Sequence, residues 1–406
     1  MRTLLISASL LALSACGLNG TDREQEQGSE VSANPASQSD NLADSMASSD
    51  PMDDTAAPVG IADSQERPTM QAQVVLDRRG FGPGVIDGKM GLSTENALRG
   101  FQEANALEIS GKMDEATTKA LEKWSNIPAT RVVTIPQEWA SHEFTKVPEN
   151  PAEQAKLDRL GYNTLDEKLA ERFHTTVAVL KELNPGGKPA GMTAPQNPTD
   201  KAPVAKGTAK SAAAAGKKTA DSAQEKSFFT AGQQIRVPNI GADRIAPGKI
   251  DNEGWQATLA SLGVGTEQPE VTKVVVSASK GTLRAFDANG KLVALFTVTS
   301  GSDNDPLPLG DWDITAVAYN PPFAYNPELF WDVPDDEEKQ QLPPGPNGPV
   351  GVVWIDLSKE HYGIHGTPAP ETIGRSQSHG CVRLTNWDAA RLSQMVSTRT
   401  KVLFEA

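Results

Sequence analysis

The apolar positions of this chain change period along its length, and the changes mark its parts. Near residue 71 an amphipathic pattern begins. Ala72, Val75, Leu76 and Arg79 fall at helical spacing, and Gly80 then stops the helix. "GVIDGKMGLST" is a glycine-punctuated turn into a capped helix with Leu98, Phe101 and Ala104 on one face. "SGKMDEATTKALEKW" repeats the device, with Asp114 as the cap and Thr117, Leu121 and Trp124 on one stripe. Residues 71–126 therefore read as a small three-helix domain. "YNTLDEKLAERFHTTVAVLKELNP" predicts helix, turn, helix, with Leu165, Leu169, Phe173, Leu180 and Leu183 on the apolar faces. "FTAGQQIRVPNI" predicts a strand entered through Ala231-Gly232 and closed by Pro238. Together these make one module over 140–185 and 228–240, split by residues 186–227, and its opening strand is not obvious. From 271 the texture turns to strands: "VTKVVVSAS", two apolar runs separated by Asn289-Gly290, "GDWDITAVAYN" and "VGVVWIDL". Asn-Gly between apolar runs is a strong hairpin signal. A last helix is expected near Asp388–Val396, introduced by Thr385 and Asn386. Residues 271–406 are thus expected to form a mainly β domain, a sandwich or half-open barrel, within a multidomain α+β chain.

Composition and charge add the segments that carry no period. Only 38% of the 406 residues are apolar, so long stretches must be linker rather than core. Residues 17–70 hold eleven acids against two arginines, and 16–70 read as a disordered acidic tether. The 186–227 insert holds seven lysines and three acids in Ala-, Gly- and Pro-rich filler, which reads as a flexible basic loop, either merely solvated or touching an anionic polymer. A net charge of −14 argues against nucleic acid as a partner, since little here would release counterions from phosphates. At the N-terminus, Arg2 and the apolar run Leu4 to Leu13 read as an export signal, too short to span a bilayer as a mature helix. Ser14-Ala15-Cys16 resembles a bacterial lipobox, which implies a signal peptide over 1–15, a lipidated Cys16 and a membrane anchor; a plain secretory signal is the alternative. Gly17 after that cysteine suggests, by analogy with Gram-negative sorting, a periplasmic protein held at the outer membrane.

With Cys16 lipidated or removed, Cys381 stands alone and a disulfide framework is excluded. An unpaired thiol in an oxidising compartment tilts toward chemistry. Two segments carry suitable groups. In "YGIHGTP", His365 ends an apolar strand and Gly366 permits close backbone approach. In "IGRSQSHGCVRL", Gly380 is expected to leave the face of the Cys381 thiol open. An imidazole beside the thiol could take its proton and return it to a leaving amine, and backbone N–H groups near Gly380 could receive an oxyanion. The other reading makes His365, His379 and Cys381 zinc ligands, for which no fourth ligand is evident; His361 is too loosely placed to complete the set. Between the hairpin and this motif lies "PPFAYNPELFWDVPDDEEKQQLPPGPNGPVG". A loop so long in a compact domain is usually functional, and it is expected to wall the site with Tyr325 and Trp331 as contacts.

Histidine, a loop, then Ser-His-Gly-Cys and Val-Arg-Leu resembles the signature of the L,D-transpeptidases of bacterial cell-wall synthesis over roughly 271–406. That resemblance implies Cys381 as nucleophile, His365 as general base and no cofactor. It implies Ser378, His379 and Gly380 as residues shaping the pocket and oxyanion hole; His379 could be a second catalytic imidazole or a structural donor. Arg383 is implied to meet a substrate carboxylate, for which its planar fork of donors is suited, with Gly366 lining the substrate. The pattern Ile86-Asp87-Gly88, Gly91, Thr94, Ala97-Leu98, Phe101-Gln102, Gly111, Thr117 and Ala120-Leu121 resembles the peptidoglycan-binding helical domain family, and the split module is similar to a lysin motif, a glycan-binding βααβ unit. The implied partners are peptidoglycan stem peptides and glycan strands, with an outer-membrane lipoprotein as a further acceptor. Carboxypeptidase activity at the same site, or a non-catalytic wall anchor, are the alternatives.

Overall fold

The computed structural model describes residues 63–141, 144–191, 226–241, 245–331, 333–334 and 337–406. The expected signal peptide, the lipidated Cys16, the tether up to 62 and the insert from 192 to 225 lie outside them. Among the described residues, no helix is long and apolar enough to cross a membrane.

The N-terminal helices are α1 (Pro68–Arg78), α2 (Leu92–Ala104) and α3 (Glu115–Leu121). Their turns are held by one device used twice. Gln73, buried on α1, donates to Lys89 O and Thr94 Oγ1 (3.1 and 3.0 Å) and accepts from Gly88 N at 2.7 Å. Gln102, buried on α2, donates to Lys112 O and Thr117 Oγ1 (3.0 and 2.8 Å) and accepts from Gly111 N at 2.8 Å. Each glutamine thus closes the turn that follows its helix, satisfying polar groups that burial would otherwise strand. Asp114 caps α3 by accepting from Thr117 N, as its position predicts.

The second part pairs β2 (Thr130–Thr134) antiparallel with β3 (Gln234–Pro238), and α4 (Leu165–Arg172) and α5 (Val177–Leu183) lie between them in sequence. Thr164 and Thr176 cap the two helices. Leu165, Leu169, Phe173, Leu180 and Leu183 are buried against Ile235 and Val237. The opening strand missing from the sequence pattern is therefore "TRVVT", ahead of residue 140.

The C-terminal part is built on β4 (Lys273–Ser277), β5 (Thr282–Phe286), β6 (Leu292–Thr297), β7 (Thr299–Ser300), β8 (Gly310–Tyr319), β11 (Val353–Leu357), β12 (Gly363–His365), β13 (Val382–Arg383) and β14 (Lys401–Glu405). Among the described residues these and β1 (Phe81–Gly82) form a ten-stranded sheet, ordered β1-β6-β5-β4-β14-β8-β11-β12-β13-β7. Because β7 follows β6 in the chain, the two ends of the sheet curl toward each other. The Asn289-Gly290 turn joins β5 to β6 antiparallel, with Gly290 at φ +75°. Strand β1 belongs to the helical part yet pairs parallel with β6. Leu76, Leu98 and Phe101 of that part share one apolar cluster with Leu292 and Leu295.

Among the described residues, two further helices pack into the main core of the sheet. The first, α6 (Glu253–Leu262), was not legible in the sequence pattern; Asn252 caps it and Gly263 ends it in the left-handed region. Its Trp255, Leu259 and Leu262 enter the main core, and the Trp255 ring stacks on Tyr319 at 4.4 Å. The second, α7 (Asn386–Met395), is capped by Thr385 as expected. Its Arg391 donates from Nη1 to Asp77 O on α1 (2.9 Å), and Asp77 also faces His174 Nδ1 at 3.2 Å. His174 in turn stacks on Trp387 of α7 at 5.0 Å. Burial alone would raise the Asp77 carboxyl, but Arg391 and His174 outweigh it and hold the group well below the usual carboxylate range. The three parts of the chain meet at this buried charge cluster.

Candidate active site

Strand register gathers the candidate residues. β12 and β13 run parallel, with His365 opposite Arg383. Side chains two residues apart share a face, so Cys381, Arg383 and His365 project to the same side of the sheet. On the other side, Ile364 and Val382 enter the core. Antiparallel β11 sets Trp354 opposite His365, and the two rings stack at 5.4 Å. The pleat of these short strands thus buries Ile364 and Val382 on one side and sets the candidate residues on the other.

His365 is 4% exposed, and its Nδ1 donates to Gly366 O at 2.7 Å, which leaves Nε2 as the acceptor. Burial, and after it the charge of Arg383, pushes the imidazole down to about 4; the bond to Gly366 opposes this. Burial likewise raises the Cys381 thiol, against a backbone hydrogen bond from Gly363 and the charge of Arg383. The thiol hydrogen points to His361 O at 3.6 Å. Both groups are therefore neutral at rest, a thiol and a free base rather than an ion pair.

The loop ahead of Cys381 is fastened to the strand-end loop at Gly301. Ser378 Oγ donates to Cys381 O (2.7 Å) and accepts from Gly301 N (2.6 Å), and Ser378 N donates to Gly301 O (3.1 Å). Ser378 thus shapes the turn that leads into Cys381. Gly380 adopts φ +86°, and a β-carbon there would strike the ring of Tyr362. The space on the β-carbon side of Gly380 is consequently filled, and the glycine is required by its conformation and by Tyr362. Gly366 faces the interior as well. It is buried, with Asn386 Oδ1 lying where a β-carbon would be, so it orients His365 instead of lining a substrate groove.

The long segment after β8 is a ribbon, not a bare loop: β9 (Phe323–Tyr325) pairs antiparallel with β10 (Gln340–Leu342). Its far end brings Phe330 and Trp331 onto His379, at 5.0 and 5.6 Å between rings. Trp331 remains 54% exposed at the mouth of the site. Tyr325 stacks on Phe330 at 5.6 Å and donates to Glu337 Oε2 at 2.8 Å, supporting the ribbon. Arg383 Nη1 reaches Gln377 O at 3.4 Å. Sequence reasoning missed Trp354 and Tyr362, although each lies within an apolar or glycine-rich stretch beside the motif. It also missed Asp305, whose negative charge acts on both Tyr362 and Cys381. Among the described residues, no group of three or more His, Cys, Asp or Glu side chains is arranged to hold a metal ion.

Residues 272–403 match the family model described as "L,D-transpeptidase catalytic domain", and residues 66–121 match "Putative peptidoglycan binding domain". The protein named "Putative L,D-transpeptidase YkuD" of Bacillus licheniformis is 49% identical over 59 residues, 14% of this chain and 36% of that one. The YqjB protein of Bacillus subtilis, of the same printed description, is 29% identical over 121 residues, 28% of this chain and 61% of that one. A Fuscovulum blasticum relative, also named an L,D-transpeptidase, is 28% identical over 182 residues, 43% of this chain and 90% of its own. The chain thus spans about a third of the YkuD proteins' length. Among solved structures, L,D-transpeptidase 3 from Mycobacterium tuberculosis with a faropenem-derived adduct aligns with a TM-score of 0.28 at 16% identity, over 44% of this chain and 76% of that one.

Proposed function

We propose, from the L,D-transpeptidase match over residues 272–403, that this protein is a peptidoglycan L,D-transpeptidase with Cys381 as its nucleophile. The observation that carries the reading is the placement of Cys381, His365 and Arg383 on one face of the sheet, with the His365 tautomer set by Gly366. His365 Nε2 takes the thiol proton as Sγ attacks the carbonyl of the third residue of a tetrapeptide stem. Backbone N–H groups at Gly380 and Cys381 receive the oxyanion, and Arg383 binds a substrate carboxylate. The bond to the terminal D-alanine breaks, and the imidazolium returns its proton to the leaving amine. A thioester remains on Cys381. An amine from a neighbouring stem then attacks, gives a proton to His365, and displaces the thiolate, which recovers that proton. The product is a 3–3 cross-link, or an attached lipoprotein where the amine belongs to one.

The upstream parts support a wall substrate. The helical part matches a peptidoglycan-binding family, and the order β2, α4, α5, β3 is that of a lysin-motif-like βααβ glycan binder. The export signal, the lipid on Cys16 and a periplasmic, outer-membrane location rest on residues 1–17 of the sequence. Incubating the purified protein with a disaccharide-tetrapeptide tests the reading. Release of D-alanine and a carbapenem adduct on the wild type are expected, both lost in Cys381→Ala. Turnover that survives in Cys381→Ala would sink the thiol mechanism. Neither turnover nor adduct on the wild type would leave a wall anchor.

A further inference from the structure

Behind His365 lies a chain of buried contacts that leaves the catalytic part altogether. The Gly366 peptide, whose carbonyl takes the His365 Nδ1 proton, is backed by Asn386 Oδ1 in the space its missing β-carbon leaves. The same oxygen accepts from Val352 N at 3.3 Å. Asn386 Nδ2 donates to Pro346 O at 3.0 Å and to Glu171 Oε1 at 2.7 Å, across 215 residues of sequence. Glu171 stands on α4 of the βααβ part, 6% exposed, and Asn386 is fully buried. The neighbouring turn is clamped in the same way: Asn347 Nδ2 donates to Glu167 Oε1 at 2.9 Å, and Leu160 N to Pro344 O at 3.0 Å. Burying a carboxyl costs several kcal/mol unless it is well partnered. Here its partner is one contact away from the peptide that sets the catalytic tautomer.

We propose that Glu171 is a positioning residue for the reaction, holding Asn386 against the Gly366 peptide and so fixing the tautomer and direction of His365. The βααβ part is then a piece of the catalytic apparatus as well as a wall-binding module. This rests on the reading of His365 as the base.

The test uses the full chain with Glu171→Leu and Glu171→Gln, the glutamine keeping an oxygen that accepts from Asn386. Glu171→Leu should lower kcat for D-alanine release with KM unchanged, by roughly 10–100-fold, the range found for partners that orient metal-bound imidazoles. Glu171→Gln should restore most of it. Nitrogen-15 spectra of labelled histidine should show His365 as the Nδ1–H tautomer in the wild type and in Glu171→Gln, and as a mixture in Glu171→Leu. Should Glu171→Leu fail to fold, Glu171→Asp, which draws the carboxyl back by one methylene, carries the same expectation. An unchanged tautomer and kcat in the leucine or aspartate variant overturns the proposal, as does a glutamine variant as impaired as leucine. A wild type without turnover whose tautomer still shifts in Glu171→Leu overturns the enzymatic reading and leaves the positioning role intact.

Discussion

Burial governs the protonation of His365 and Cys381, the two groups proposed to react, at the level of single residues. His365 is pushed down to about 4, so it stays an unprotonated base through the whole neutral range. The acid limb of acylation by the free enzyme should therefore fall near pH 4, where the imidazole finally takes a proton, rather than near its ordinary 6.5. Following carbapenem adduct formation from pH 3.5 to 8 measures this, and a limb near 6.5 would show that His365 is either solvated or not the base. The thiol is raised, so thiolate does not accumulate beforehand, and the proposed mechanism requires it to form as substrate arrives. Gly380 is a second point where one atom matters. Alanine there would have to hold φ +86° and displace the Tyr362 ring. The backbone alone costs about 1–2 kcal/mol. Gly380→Ala should lower the rate of acylation, and Tyr362→Ala in the same protein should recover part of the loss. Additive effects in that double-mutant cycle would refute the steric coupling.

Elements differ in how plainly the sequence announces them. Strands β4, β5, β6, β8 and β11 carry four or more apolar or alternating residues, and their periods were legible. Strands β7, β12 and β13 are two or three residues long and have no period; they exist only through their partners, yet they hold the site. Cys381, His365 and Arg383 were legible because a motif carries them. Trp354 and Asn386 were not, since register brings Trp354 to His365 and the folded backbone brings Asn386 to Gly366. Helix α6 was missed because it lies among glycines and acids ahead of 271, the expected start of the catalytic part. Its Trp255 is 1% exposed and fills the main core. Trp255→Ala should therefore cost about 3–5 kcal/mol of unfolding free energy, the range for a buried tryptophan. Denaturant melts of the full chain measure it, and a loss under about 1 kcal/mol would mean α6 merely rests on the surface.

At the scale of the whole molecule, the parts are joined by polar groups inside shared cores, so stability and pH are linked across them. Asp77, His174 and Arg391 form one junction, and Glu171 with Asn386 forms another. Burial raises the Glu171 carboxyl from 4.5 to about 7, against the hydrogen bonds from Tyr162 and Asn386. Between those values the folded protein holds a proton that the unfolded chain has released. Its contribution to stability is greatest below 4.5, declines as pH rises, and is lost by about 7. A shift of that size corresponds to roughly 3 kcal/mol. Glu171→Gln removes this titration while keeping an acceptor for Asn386. The variant should therefore be more stable than the wild type at pH 8, with the difference shrinking steadily toward pH 5. Thermal melts of both proteins across that range decide the matter. A difference that stays constant with pH would mean Glu171 is solvated and ionised throughout, and the junction behind His365 would be looser than its distances imply.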